Sequence, residues 1–485
     1  MDSHLALHLK TDKTGLMKKI IFSILTLLLI SVAASAQQNL RTAYFNDGYT
    51  FKYKMNPAMA PERGFFAFPA LGNLGLGVES NLGLSTFLYP TSDGLTTFLN
   101  SSVNSDDFMK KLNKTNQMNL NVNASILAFG FRTGKAFHTV DLSLRADARA
   151  ALPKSLFGFI KEGRSKGANS WDIAGAGVRA DARLELAYGY SRPILDWINV
   201  GGRVKLLMGA ARANVMIDKM NLTMSGEQWA IQSHGDAMIS FPMTIGTQPG
   251  SNLVDFEEII MPENIQEFLT PNIGFAVDLG ATADFLDFLT ASLSVTDLGF
   301  ISWNNTTMMQ APEGKVTFDG FGTISTDPDS NNTIGDQFEN LGEELLDMFT
   351  LEKVDDKLKK SSALAATIHA GIEARMPFYD RLTFGLLATH RVDGKYSWTE
   401  GRLSANIAPV NWLSASVSAA ISDFGTSAGG VLNLHAPGFC FYVGVDSFTS
   451  LINVTPQFIP INRLNTNVSF GISFSFGKGV GRYYN

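Results

Sequence analysis

Val178-Arg-Ala-Asp-Ala-Arg-Leu-Glu-Leu-Ala-Tyr-Gly-Tyr190 decides the fold. Its even positions are Val178, Ala180, Ala182, Leu184, Leu186, Tyr188 and Tyr190, while Arg179, Asp181, Arg183 and Glu185 fall on odd ones. Successive side chains of a strand point to opposite faces, so a period of two with charges on one side predicts a strand between an apolar and a polar medium. Val140 to Ala150 repeats the pattern, with Asp141, Arg145, Asp147 and Arg149 opposed to Val140, Leu142 and Leu144. Ile368 to Met376 sets His369, Glu373 and Arg375 against Ile368, Ile372 and Met376. Near the end of the chain, Val468, Phe470, Ile472, Phe474 and Phe476 alternate with Ser469, Gly471, Ser473 and Ser475.

The apolar medium is read from what precedes these segments. Lys18 and Lys19 stand before the apolar run Ile20 to Val32, followed by Ala34-Ser35-Ala36, the three regions of a Sec signal peptide with cleavage after Ala36. Residues 1–16 read as sequence ahead of the true start. The leader carries four lysines and two aspartates, so the mature part is more acidic than the chain's formal charge of −6, which argues against a nucleic-acid partner. Cys440 is the single cysteine, so no internal disulfide and no lipidated N-terminus is expected. Beyond the leader no apolar run is long enough for a membrane helix, yet only 17% of residues are charged. A transmembrane antiparallel β-barrel in the outer membrane of a Gram-negative bacterium reconciles these facts.

A turn recurs between the alternating segments. Pro193-Ile-Leu-Asp196-Trp197, Asp284-Phe-Leu-Asp287-Phe288, Pro377-Phe-Tyr-Asp380-Arg381 and Pro409-Val-Asn411-Trp412 combine a ladder breaker or cap with aromatic residues suited to a membrane interface. Taken with turns at 133–136 and 436–438 they define a periplasmic rim, opposed by long polar connections at 80–117, 151–173, 213–270 and 304–362. The strands then fall near 64–79, 118–132, 138–150, 174–191, 197–212, 271–283, 288–303, 363–376, 381–393, 398–408, 412–421, 429–435, 439–447 and 465–477. Fourteen is even, as closure of an antiparallel barrel requires.

If the apolar faces meet lipid, then Asp141, Arg145, Asp147, Arg149, Arg179, Asp181, Arg183, Glu185, Arg203, Lys205, Glu373 and Arg375 line the lumen. They either bound an aqueous path or hold a plug, or they neutralise one another as cross-strand pairs in a wet interior. Asp327-Pro-Asp329-Ser-Asn331-Asn332 has the oxygen-rich look of a calcium loop, but Asn332 stands where the EF-hand needs glycine and Glu339 is one place late, so a solvated turn is expected. Phe338, Leu341, Leu345 and Phe349 recur at helical spacing and predict a short amphipathic helix resting on the rim. His390 and Asp393 lack a matching nucleophile, so no catalytic residue, metal or cofactor is expected.

Met55-Asn56-Pro57-Ala58, Pro61-Glu62-Arg63-Gly64, Phe68-Pro69-Ala70-Leu71-Gly72-Asn73 and Ser80-Asn81-Leu82-Gly83 resemble an uncharacterised outer-membrane barrel family of the Bacteroidota. Asn56, Pro57 and Ala58 ahead of fourteen strands also look like the long-chain fatty acid transporter superfamily. That resemblance implies an N-terminal hatch over residues 37–63, a barrel over 64–485, and hydrophobic compounds leaving sideways toward the membrane. The expected partners are outer-membrane lipid, the barrel-insertion machinery and a small molecule, with a hydrophobic one as the candidate. The alternative is a surface barrel that transports nothing and engages secretion or envelope proteins through its loops.

Overall fold

The computed structural model describes residues 40–479, except 70, 92–93, 163–169, 226–227, 261–271, 312–314, 319–350 and 449–462. The expected signal peptide, the calcium-like loop and the expected helix at 338–349 lie outside the described residues. No helix among the described residues is long and apolar enough to cross a membrane.

The wall is a closed barrel of fourteen antiparallel strands. β1 comes in two pieces, Gly64–Ala67 and Leu74–Gly83. β2 (Thr115–Thr133), β3 (Ala136–Pro153), β4 (Gly177–Leu195) and β5 (Ile198–Ser225) follow as a meander. Then come β6 (Asn272–Leu286), β7 (Leu289–Gln310), β8 (Ala366–Met376), β9 (Tyr379–Val392) and β10 (Trp398–Val410). β11 (Leu413–Ser422), β12 (Gly425–Ala436), β13 (Phe439–Val445) and β14 (Arg463–Phe476) complete the circuit. β14 pairs with β13 on one side and with both pieces of β1 on the other, so the sheet has no free edge.

The outer face is the apolar half of each alternation. Leu186, Tyr188, Val204, Phe275, Leu293, Leu403, Val417 and Phe474 are exposed, whereas Ser469, Ser473, Glu185 and Arg203 on the opposite face are buried. Asp196-Trp197, Asp287-Phe288, Pro377-Phe378 and Asn411-Trp412 each close a two-residue turn on one rim, with Trp197, Phe288, Phe378 and Trp412 standing outward as a girdle. Arginine at Leu403, near the middle of β10, is expected to cost about 2–4 kcal/mol of insertion free energy. The check is the urea midpoint for loss of heat-modifiable migration, which an exposed residue outside lipid would leave unchanged.

Two sequence expectations are corrected. β1 is not continuous over 64–79: residues 68–69 and 71–73 leave the ladder, while backbone bonds tie Phe68 and Leu71 to Ile472. The connections expected at 213–270 and 304–362 are partly wall. β5 is 28 residues long, which at about 3.3 Å per residue far exceeds an apolar band of about 25 Å even when tilted. Its outer half pairs with Gln228–Ser240, and β7 pairs with Glu352–Ala363, making a tall ribbon beyond the membrane. On the same side, the connection after β1 folds with the helix Lys154–Glu162 around Leu82, Phe98, Phe108 and Phe157.

Candidate functional site

The lumen is filled from two directions. Leu40–Ala60 lies inside the barrel as two short 3-10 turns, Arg41–Ala43 and Thr50–Lys54, joined by further tight turns. Leu40, Ala43, Tyr44, Tyr49, Phe51, Tyr53 and Met55 are all buried, packed with Phe65, Phe137 and Tyr442 of the wall. Polar anchors reach every quarter of the barrel. The Arg41 guanidinium donates to Glu79 of β1 at 2.8 Å and sits 3.0 Å from Glu400 of β10, while the Arg41 and Thr42 amides donate to Asp446. Asn46 donates to Ser416 of β11, and the Tyr44 hydroxyl to Ser292 of β7. Tyr53 donates to Asp141 of β3 at 2.6 Å, and Lys54 to Ser125 of β2 at 2.7 Å. Burial pushes the Lys54 ammonium below its ordinary value, against the pull of Asp141.

Asn56-Pro57-Ala58 forms the lower turn of this segment. The Asn56 carbonyl oxygen accepts from the Ala58 amide at 3.0 Å, an Asx turn, and its amide donates to the Ala281 carbonyl of β6. Asn199 of β5 donates to the Ala58 carbonyl. The turn comes so close to the wall that β5 and β6 present glycine there: a Cβ at Gly201 would overlap the Pro57 carbonyl, and one at Gly280 the Asn56 side chain.

Beside this segment, and joined to it through Tyr53 and Lys54, charged residues of β3 to β7 form one continuous network. Register sets its logic. Arg145 pairs with Arg183 across β3 and β4, Asp147 with Asp181, and Arg149 with Arg179. Like charges directly opposite are destabilising, so the neutralising contacts run elsewhere. Arg183 takes Asp147 on the diagonal at 3.0 Å and Asp181 and Glu185 along its own strand at 2.7 and 2.9 Å. The other arginines recruit carboxylates from across the lumen. Asp297 of β7 lies 3.1 Å from Arg145 and 2.5 Å from Lys205. Asp393, just after β9, lies 2.8 Å from Arg149 and 2.7 Å from Arg179. Arg203 bridges Asp141 and Asp278 at 2.9 and 3.0 Å, and Lys205 also meets Asp278 at 2.7 Å.

Ten of the sequence-predicted positions therefore meet in this network, although not as facing pairs. Glu373 sits apart, lining an open vestibule of about 710 Å3 at the short-turn rim with Asp47, Lys52, Arg132 and Arg192. Arg375 lies nearer the same rim, its amide donating to the Phe288 carbonyl. Asp278, Asp297 and Arg391 are not marked by the sequence, and Asp393 stands out there only beside His390, not as a lumen residue. His390 and Asp393 part company: the imidazole is exposed on the outer face beside Thr399, while the carboxylate turns inward. Among the described residues no group of side chains could hold a metal ion.

A closed antiparallel barrel with an apolar outer belt and a charged, occupied interior defines a transmembrane barrel of the outer-membrane type. The chain belongs to the Family of unknown function (DUF5723), whose model matches residues 57–446. No curated protein is matched. Among solved structures, the P. putida toluene transporter TodX aligns at 7% identity over 90% of this chain and 93% of that one, with a TM-score of 0.38. A Pseudomonas aeruginosa FadL homologue gives 11% identity, 91% and 98% coverage and a TM-score of 0.35. The translocator domain of the autotransporter NalP from Neisseria meningitidis gives 8%, 88% and 94%, and 0.32. Likeness this distant decides neither cargo nor direction.

Proposed function

We propose that the protein is a gated outer-membrane transport barrel that binds and passes a small molecule, with residues 37–63 as its hatch. The observation that carries this reading is the seating of Leu40–Ala60 in the lumen through single polar contacts with many strands, rather than as a strand of the sheet. Such contacts exchange readily for water, so the segment can withdraw without breaking the ladder. Withdrawal would uncover Phe65, Phe137 and Tyr442 on the lower wall, an apolar lining suited to a hydrophobic solute. The mixed charges above it favour a solute that also tolerates polar surroundings.

Swelling of proteoliposomes containing the full mature chain, compared with a form lacking residues 37–63, tests the proposal. Little solute entry is expected with the first and rapid entry with the second, provided heat-modifiable migration shows that both are folded. A second reading rests on the vestibule lined by Asp47, Lys52, Arg132 and Arg192, which offers an envelope polypeptide a charged cup on the periplasmic side. Absence of solute entry in both forms, with an envelope protein co-purifying, would select it and defeat the transport reading.

A further inference from the structure

The charges of the luminal network do not cancel evenly along its height. In the lower part Lys54, Arg145, Arg203 and Lys205 are met by Asp141, Glu185, Asp278 and Asp297, four against four. In the upper part five guanidiniums, Arg149, Arg179, Arg183, Arg212 and Arg391, share the carboxylates of Asp147, Asp181 and Asp393. Two positive charges are left over, and they belong to identifiable side chains. Arg391 is 7% exposed, its nearest carboxylate oxygen is 3.6 Å away on Asp147, and its Nε has no hydrogen-bond partner among the described residues. Arg212 makes no hydrogen bond or ion pair among the described residues, and lies 5.9 Å from the ring of Trp303.

All five line one cavity of about 20 Å3, closed on its other side by Ile301, Trp303 and Ala363–Ala365. That space is about one water in size, so it admits the oxygen end of a carboxylate while the rest of the ion lies toward the half-buried Arg212 edge. Leaving a buried guanidinium uncompensated costs several kcal/mol, and guanidinium donors match planar oxyanions through paired bonds. We infer that this cavity is a binding site for a single carboxylate-sized oxyanion, held by Arg212 and Arg391 and framed by Arg149 and Arg179. The carboxylate is either a free small ion or the acid group of a larger solute entering from the extracellular side. The site stands independently of whether the barrel transports anything.

The test uses the full mature chain in neutral detergent and follows the thermal midpoint for loss of heat-modifiable migration, with sodium acetate, sodium benzoate and sodium chloride at equal ionic strength. Acetate is expected to raise the midpoint saturably beyond chloride, which reports screening alone. A matching rise with benzoate would identify the acid group of a larger solute, and a rise with acetate only would identify a free ion. In Arg212→Met/Arg391→Met the acetate response should weaken roughly tenfold or more, since charge-assisted bonds are lost. Without any added carboxylate the same variant should be at least as stable as the native chain, because its excess charge is gone. Should that double variant not insert, Arg212→Gln, at the half-buried edge of the cavity, carries the same comparison. An acetate response that equals the chloride response, or that survives both substitutions, would overturn the site.

Discussion

Asparagine in place of Asp297 should lower the stability of the barrel by about 3 kcal/mol, because one carboxylate serves two buried cations and its loss leaves Arg145 with Glu185 and Lys205 with Asp278 as their remaining counter-charges. Asp297 lies 3.1 Å from Arg145 and 2.5 Å from Lys205, and its own amide donates to Asp278 at 2.7 Å. Its backbone is left-handed, φ 61°, in the middle of a strand. Asparagine tolerates that conformation nearly as well as aspartate, so the substitution removes charge without straining the chain, whereas Asp297→Ala would do both and should cost more. The measurement is the urea midpoint for loss of heat-modifiable migration in detergent. Adding Arg145→Met to Asp297→Asn brings the lower network back to balance, three charges against three, and should recover most of the loss. If the single substitution leaves the midpoint where it was, or the second substitution deepens the fall, Asp297 is not the charge that holds the two halves of the lumen together.

The same aspartate explains what the sequence could and could not disclose. The inward face of β4 is legible because its charges recur without interruption from Arg179 to Glu185, and lipid on the other side forces a matching apolar row. On β7 the outward apolar positions run Leu293 and Val295, then Leu298 and Phe300, so the step is three once instead of two. That slip is the bulge that turns Asp297 inward, and it could have been found by following parity along the strand. Asp278 is a lone acid among small inward residues, Gly274, Ala276 and Gly280, and carried no pattern of its own. Asp393 lies beyond the end of β9, where alternation no longer fixes direction and only the fold places it across the barrel. The outer halves of β5 and β7 were hidden for a related reason. Above the membrane neither face meets hydrocarbon, so paired strands there need not alternate apolar and polar residues. The resemblance carried by Asn56-Pro57-Ala58 drew attention to this stretch of chain, but nothing in those three residues announced the glycines that receive them.

Those glycines allow the proposed hatch to be tested without shortening the chain. Gly201 and Gly280 are register partners on β5 and β6, and the turn Asn56-Pro57-Ala58 rests on both. Valine at the two positions is expected to suit the sheet itself, since a β-branched cross-strand pair stabilises a ladder. The new methyl groups would occupy the space of the Pro57 carbonyl and the Asn56 side chain, which are backbone and a short amide with little freedom to yield. Overpacking of this kind costs about 1–3 kcal/mol per site, so the pair should lower the seated fraction of the segment by roughly tenfold or more. In planar bilayers Gly201→Val/Gly280→Val should then open channels that the native protein opens rarely, and residues 40–63 should become accessible to protease from the periplasmic side. Arg41, anchored far above the substituted glycines by Glu79, Glu400 and Asp446, should delay full withdrawal. The conductance should therefore rise further when Arg41→Met is added. A double valine variant that inserts normally yet stays closed and protease-resistant would mean that the segment is a permanent part of the barrel core and not a gate.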